Sequence, residues 1–287
     1  MKAKKIAITL SGQWRFSESC IVSLYEQIIA PLQAYYDIGV FIHAWVDDGK
    51  TPEEFHFVES KLPLVGWLFE KPISLENEVF SSIEHQHSSR YQSQYQSLKR
   101  VFDIVAASGF APDSILRTRM DLLYQKPVRV PENPDADVIY VPPVEGHEEL
   151  PFDPSVVNDQ IAYGSYPSMS LYMTLVHQVT KTSLKGFEDA SSKKYSMAHQ
   201  KGALKGIEGI LNEYLKSKNI KVKFLDVFYK INRLPNTKNK LMLARLPFWL
   251  YGSEPNRLSR VIILLLQRAL RIRSKIYSHA NNCKGVL

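Results

Sequence analysis

The first 45 residues constrain this chain more than any other stretch, because two apolar runs there flank a single helix-periodic segment. Lys5-Ile6-Ala7-Ile8-Thr9-Leu10 is nearly continuous in apolar residues and is closed by Ser11-Gly12. Between Ser17 and Ala34, Ile21, Leu24, Ile28, Ile29 and Leu32 recur at helical spacing, with Pro31 in the late part. Asp37 to Ile42 is a second apolar run, ending at His43-Ala44-Trp45. Strand, helix and strand in this length form a βαβ unit, and such a crossover joins parallel neighbours. Apolar runs that do not alternate belong to a sheet covered by helices on both faces.

The remaining pattern extends that unit. Residues 49–88 are rich in Pro, Ser and Glu and read as irregular. Arg90 to Ser108 is helical (Tyr91, Tyr95, Leu98, Val101, Phe102, Val105), and Asp113 to Tyr124 reads as one strand. Asp137 to Val141 is a short strand stopped by Pro142-Pro143, and Ile161 to Tyr163 is another. Helices are expected over 167–180 and 200–218, followed by a strand from Lys221 to Leu225. This order predicts an α/β fold, a Rossmann-type mostly parallel sheet flanked by helices, over residues 1–237.

Residues 238–287 are different in kind. They hold ten Lys/Arg against the single acid Glu254, so the net charge of +7 resides in this tail and the body is close to neutral. A nucleic-acid enzyme carries its basic stripe on the folded domain, so no nucleic-acid partner is expected. Cys20 and Cys283 are the only cysteines, which excludes a disulfide framework or a cysteine zinc site. The Lys-rich start is followed by too short an apolar run for a signal sequence, and a cytoplasmic location is expected.

Ligands of open α/β sheets bind beyond the carboxyl ends of the strands, so polar residues there carry the most information. After the first strand, Ser11-Gly12-Gln13-Trp14-Arg15 offers a glycine turn and a charge for phosphate, although it is neither a P-loop nor a GxGxxG turn. After the second come His43, Trp45, Asp47 and Asp48, candidates for contact with a sugar or base. Within Ile115-Leu116-Arg117-Thr118-Arg119-Met120-Asp121-Leu122, strand alternation places Arg117, Arg119 and Asp121 on one face. Two fixed guanidiniums beside a carboxylate suit a diphosphate, with a divalent cation at Asp121 as a further option. The alternative is an internal Arg–Asp ion pair. Asn158-Asp159-Gln160 precedes another apolar segment, and a carboxylate held there can serve as general base on a hydroxyl. Gln94 and Lys99 lie on the helix before the arginine strand. Asp135-Ala136-Asp137 has a metal-binding form but precedes its strand, at the wrong end for a ligand.

Taken in order, KIAITLSGQWR (Lys5 to Arg15), Phe41-Ile42-His43-Ala44-Trp45, the Tyr/Gln-rich helix before Arg117-Thr118-Arg119-Met120-Asp121, and Asn158-Asp159-Gln160 resemble a known family. It is the bacterial GT-A-type glycosyltransferases of surface-polysaccharide clusters, for capsule and lipopolysaccharide O-antigen, and the resemblance covers about residues 4–235. It implies a nucleotide-sugar donor and a glycan acceptor, which is expected to be lipid-linked. Ser11, Gly12, Arg15, His43, Lys99, Arg117 and Arg119 would then bind the donor, and Asp121 would meet the diphosphate or a Mg or Mn ion. Asp159 would be the base, with Asn158 and Gln160 on the acceptor side. Arg-x-Arg-x-Asp stands where better-known members carry Asp-x-Asp. A non-catalytic nucleotide- or glycan-binding protein of a polysaccharide assembly is the rival expectation.

In the tail, a helical wheel puts Arg257, Arg260, Arg268, Arg271 and Lys275 on one face and Leu258, Val261, Ile262, Leu265, Leu266 and Leu270 on much of the rest. Residues 256–277 therefore read as a helix lying on an anionic membrane surface, peripheral on the inner membrane, the alternative being a helix packed on its own domain or on a second subunit.

Overall fold

Along the chain, β1 (Lys4–Gln13) leads into α1 (Glu18–Leu24), a π-helical turn (Tyr25–Ile29) and α2 (Ala30–Gln33). Then come β2 (Tyr36–Trp45), α3 (Phe55–Lys61), β3 (Leu64–Glu70) and the long α4 (Ser88–Ala107). β4 (Ser114–Thr118), β5 (Leu122–Tyr124), β6 (Val138–Val141), β7 (Ala162–Ser165), α5 (Tyr166–Met173), α6 (Ile207–Ser217), β8 (Lys221–Phe224) and β9 (Tyr229–Ile231) follow. The computed structural model describes residues 4–72, 88–142, 157, 159–175 and 207–232, the side chains of 88–92 and 207–210 excepted. Asn158 and the whole basic tail lie outside the described residues.

Seven strands form one sheet in the order β3-β2-β1-β4-β7-β6-β8, and β5 pairs with β9 separately. β3, β2, β1 and β4 are mutually parallel, as are β6 and β8; β7 alone runs against its neighbours β4 and β6. This is the mostly parallel, helix-flanked α/β sheet that the opening βαβ unit predicts. No helix among the described residues is long and apolar enough to cross a membrane.

The pleat divides the core. Ala7, Phe41 and Ile115 meet Tyr95, Leu98 and Val101 of α4 on one face. Ile6, Ile8, Val40, Ile42 and Leu116 pack with Ile21, Leu24 and Ile28 on the other. Burying each such Ile, Leu or Val contributes about 1.5–3 kcal/mol, so β1, covered on both faces, is a rigid base for whatever sits at its end. Pro31 explains a local irregularity. Lacking an N–H, it leaves the Gln27 carbonyl without its helical donor, and that carbonyl accepts the Val128 N–H instead at 2.7 Å.

Two expectations need correction. Residues 49–88 are not irregular throughout: they contain α3 and the edge strand β3. An edge strand has one neighbour and half-exposed side chains, here Val65 and Trp67, so its apolar signal is weak. The strand expected over 113–124 is two strands. β4 stops at Thr118, Met120 and Asp121 form a turn, and β5 turns away to pair with β9. Thr118 Oγ1 bonded to Tyr124 Oη and the Asn232 N–H donated to the Asp121 carbonyl at 2.7 Å hold that turn. Arg117, Arg119 and Asp121 therefore do not share a strand face.

Candidate functional site

The parallel strands β1, β2, β3 and β4 all end on one side of the sheet, and most of the expected residues collect there. β1 stays paired with β2 as far as Gln13 opposite Trp45, with Ser11 opposite His43. At Gly12 the backbone has φ +130°, a conformation that favours glycine. Its N–H donates to Ser97 Oγ of α4 at 2.7 Å. Ser97 Oγ also lies 2.7 Å from His43 Nδ1, and His43 Nε2 lies 2.9 Å from Glu70 Oε2 at the end of β3. The Arg100 guanidinium contacts the same Glu70 oxygen at 3.2 Å.

The carboxylate can only accept, so it fixes the direction of this chain. Nε2–H donates to Glu70, Nδ1 accepts from the Ser97 hydroxyl, and Ser97 Oγ accepts from Gly12. A neutral imidazole satisfies every bond. Consistently, burial lowers the His43 pKa and outweighs the opposing pull of Glu70. With no exposed surface and both nitrogens engaged, His43 reaches the site through Ser97 and Gly12. Trp45 is 1% exposed and donates its indole N–H to the Ser93 carbonyl at 3.0 Å, so its face offers no stacking platform. Asp47 and Asp48 are exposed, and Asp48 accepts the Lys50 N–H in a local turn.

Arginines dominate the neighbouring part of the site. Arg119 grips Asp121 with two bonds, Nε to Oδ1 at 2.8 Å and Nη2 to Oδ2 at 2.7 Å. Arg15, beyond β1, adds Nη1 to Oδ2 at 2.9 Å. Burial pushes the Asp121 pKa up, but the bonds and charges of Arg119 and Arg15 win and hold it below the usual carboxylate value. The Arg119 pKa is raised: burial pulls it down, but the bonds and charge of Asp121, with a smaller pull from Asp159, outweigh that.

Arg117 is in a different situation. It is 0% exposed, its Nη1 donates to the backbone carbonyl of Asp159, and no carboxylate pairs with it among the described residues. Its Nε is buried without a partner, as are Thr9 Oγ1 and Ser11 Oγ. Thr9 is the register partner of Arg117, and Ser11 is two residues further along the same face, so these unmet groups are neighbours.

Asp159 is held from α4, where Gln94 Nε2 donates to its Oδ2 at 2.6 Å. Gln160 is half-buried next to it. Lys99, two turns from Tyr91 on the same helix, pairs with Asp103 at 2.6 Å and is not drawn into the arginine cluster. Asp135 and Asp137 pair with Lys223 and Lys221 at the start of β6, far along the strand from its carboxyl end. Sequence reasoning missed Ser97, Glu70 and Arg100. Ser97 was within reach, three residues from Gln94 on one helix face. Glu70 was not, because β3 itself went unread. Among the described residues no group of three His, Cys, Asp or Glu side chains is arranged to hold a metal ion.

No family model matches this sequence, and no curated protein matches it. Among solved structures, the chain is similar to the galactosyltransferase LgtC in complex with donor and acceptor sugar analogues, with 11% identity, a TM-score of 0.37, and coverage of 77% of this chain and 72% of that one. It is also similar to the apo form of mouse xyloside xylosyltransferase 1, with 11% identity, a TM-score of 0.41, and coverage of 78% and 85%.

Proposed function

We propose that this chain is a glycosyltransferase that moves a sugar from a nucleotide-sugar donor to a glycan acceptor, lipid-linked and destined for a surface polysaccharide. The observation that carries the reading is Arg117, a fully buried guanidinium with no counter-charge among the described residues, next to two hydroxyls that also lack a partner there, at the carboxyl end of the parallel strands. Burying a lone charge is costly, and a bound anion offsets that cost. Arg119, two residues on, and Arg15 both hold Asp121 and are partly exposed at 20% and 45%.

In this reading the bond from the anomeric carbon to the diphosphate oxygen breaks and the acceptor oxygen bonds to that carbon. The negative charge that gathers on the departing diphosphate is met by Arg117, Arg119 and Arg15, with Ser11 and the Gly12 turn bordering the phosphates. For an inverting reaction the acceptor proton passes to the Asp159 carboxylate, which Gln94 orients. The basic tail supplies the membrane surface on which a lipid-linked acceptor is met.

Thermal-shift measurements with UDP-, GDP- and CMP-sugars test the binding half; a panel without a shift refutes the reading. Donor hydrolysis tests the chemical half, and binding without turnover favours a non-catalytic binding protein. Asp159→Asn is expected to lower turnover about 10²–10⁴-fold while donor affinity is nearly kept.

A further inference from the structure

Three of the roughly four lone-pair directions of the Asp121 carboxylate are taken by arginines. Oδ1 accepts from Arg119 Nε, and Oδ2 accepts from both Arg119 Nη2 and Arg15 Nη1. The carboxylate is 3% exposed and faces the two guanidiniums that bond to it. A divalent cation at these oxygens would sit against two fixed guanidiniums, and like charges at such distances repel strongly outside bulk water. The donor set does not fit a metal.

It fits a different task. A guanidinium has five N–H donors in a rigid plane. Arg119 spends two of them on Asp121 and Arg15 spends one, and among the described residues the others are left for a second anion. The bidentate grip fixes the plane of Arg119, the kind of preorganisation that lowers the entropic cost of binding. Arg117 adds a third guanidinium from the end of β4. Three guanidiniums against the carboxylates of Asp121 and Asp159 leave the cluster net positive.

We infer that this site takes a diphosphate directly on Arg15, Arg117 and Arg119 without a divalent cation, and that Asp121 is a positioning residue that aims Arg119 and Arg15. The inference deepens the glycosyltransferase reading by specifying how the donor's diphosphate is held, and it rests on that reading for the identity of the ligand.

The test uses the 287-residue chain and inorganic pyrophosphate as the probe, followed by isothermal titration calorimetry. Pyrophosphate is expected to bind equally well in EDTA and in Mn²⁺, and Mn²⁺ alone is expected to give no bound signal in electron paramagnetic resonance. Asp121→Asn should weaken pyrophosphate by at least about tenfold, because the amide donates where two guanidiniums need acceptors. Asp121→Asn and Arg119→Lys should be non-additive in a double-mutant cycle, a coupling that a merely structural aspartate would not show. Pyrophosphate binding that requires Mn²⁺, or no pyrophosphate binding in either condition, overturns the inference. The wild-type comparison needs no variant to fold. If pyrophosphate binds without metal while no nucleotide sugar binds, the glycosyltransferase reading fails and this inference stands; if nucleotide sugars bind only with Mn²⁺, the reverse holds.

Discussion

Replacing Arg117 by methionine separates a ligand-binding arginine from a structural one, because the two roles predict opposite signs for stability. In the folded chain the guanidinium is fully buried and donates to the Asp159 carbonyl, and no carboxylate among the described residues compensates it. The desolvation penalty of a single buried ion is several kcal/mol, and methionine of similar length removes it. Against this, the lost bond leaves the Asp159 carbonyl short of a donor, which costs about 1–3 kcal/mol. The balance is a gain of about 1 kcal/mol, equivalent to a melting temperature about 2–4 °C higher. Anion binding moves the other way. Losing one charge-assisted bond of about 1.5–3 kcal/mol weakens pyrophosphate about 10- to 150-fold. Urea unfolding and calorimetry on the same preparation read both quantities. A variant that loses more than about 2 kcal/mol of stability while binding pyrophosphate as before would show that Arg117 is a structural residue and would remove the central support of the proposed function.

Gly12→Ala meets no steric obstacle, since nothing lies within 4 Å of the added methyl, so its expected cost of about 1–3 kcal/mol comes from the positive φ alone and is read in a thermal melt. Asp121 titrates below its ordinary value of 3.8 in the folded chain, so its contribution is complete above that pH and is lost as pH falls through the lower folded value. Urea unfolding at stepped pH should accordingly show wild type and Asp121→Asn converging on acidification, and a constant gap would contradict the pairing. In the tail, Arg268→Gln with Arg271→Gln should weaken sedimentation with anionic vesicles by about 2 kcal/mol, roughly 30-fold, and an unchanged partition would place the tail elsewhere than on a membrane.

Much of the scaffold was legible because burial writes itself into composition. Ile6, Ile8 and Leu10 face one core and Ala7 the other, and a strand enclosed on both sides must be apolar at every position. The same logic located β2 and the buried stripe of α4. It failed at β3, where one side of the strand has no neighbour, and at the π-helical turn before Pro31, where the Gln27 carbonyl accepts the N–H of Val128, 101 residues away and outside any local window.

The sequence by itself determined the parallel sheet, the end of it at which the candidate polar residues collect, and the basic residues among them, since these follow from periodicity and from residue chemistry. Which arginine does what was decided by tertiary structure. Alternation treats Arg117, Arg119 and Asp121 as equivalent, yet the chain leaves the sheet after Thr118, sending Arg119 and Asp121 into a turn that Arg15 closes and leaving Arg117 buried beneath Asp159. Likewise, the Gly12–Ser97–His43–Glu70 chain joins four segments that no spacing relates. Hydrogen bonds and charges act over a few ångströms in space, and only the folded backbone sets which residues come that close.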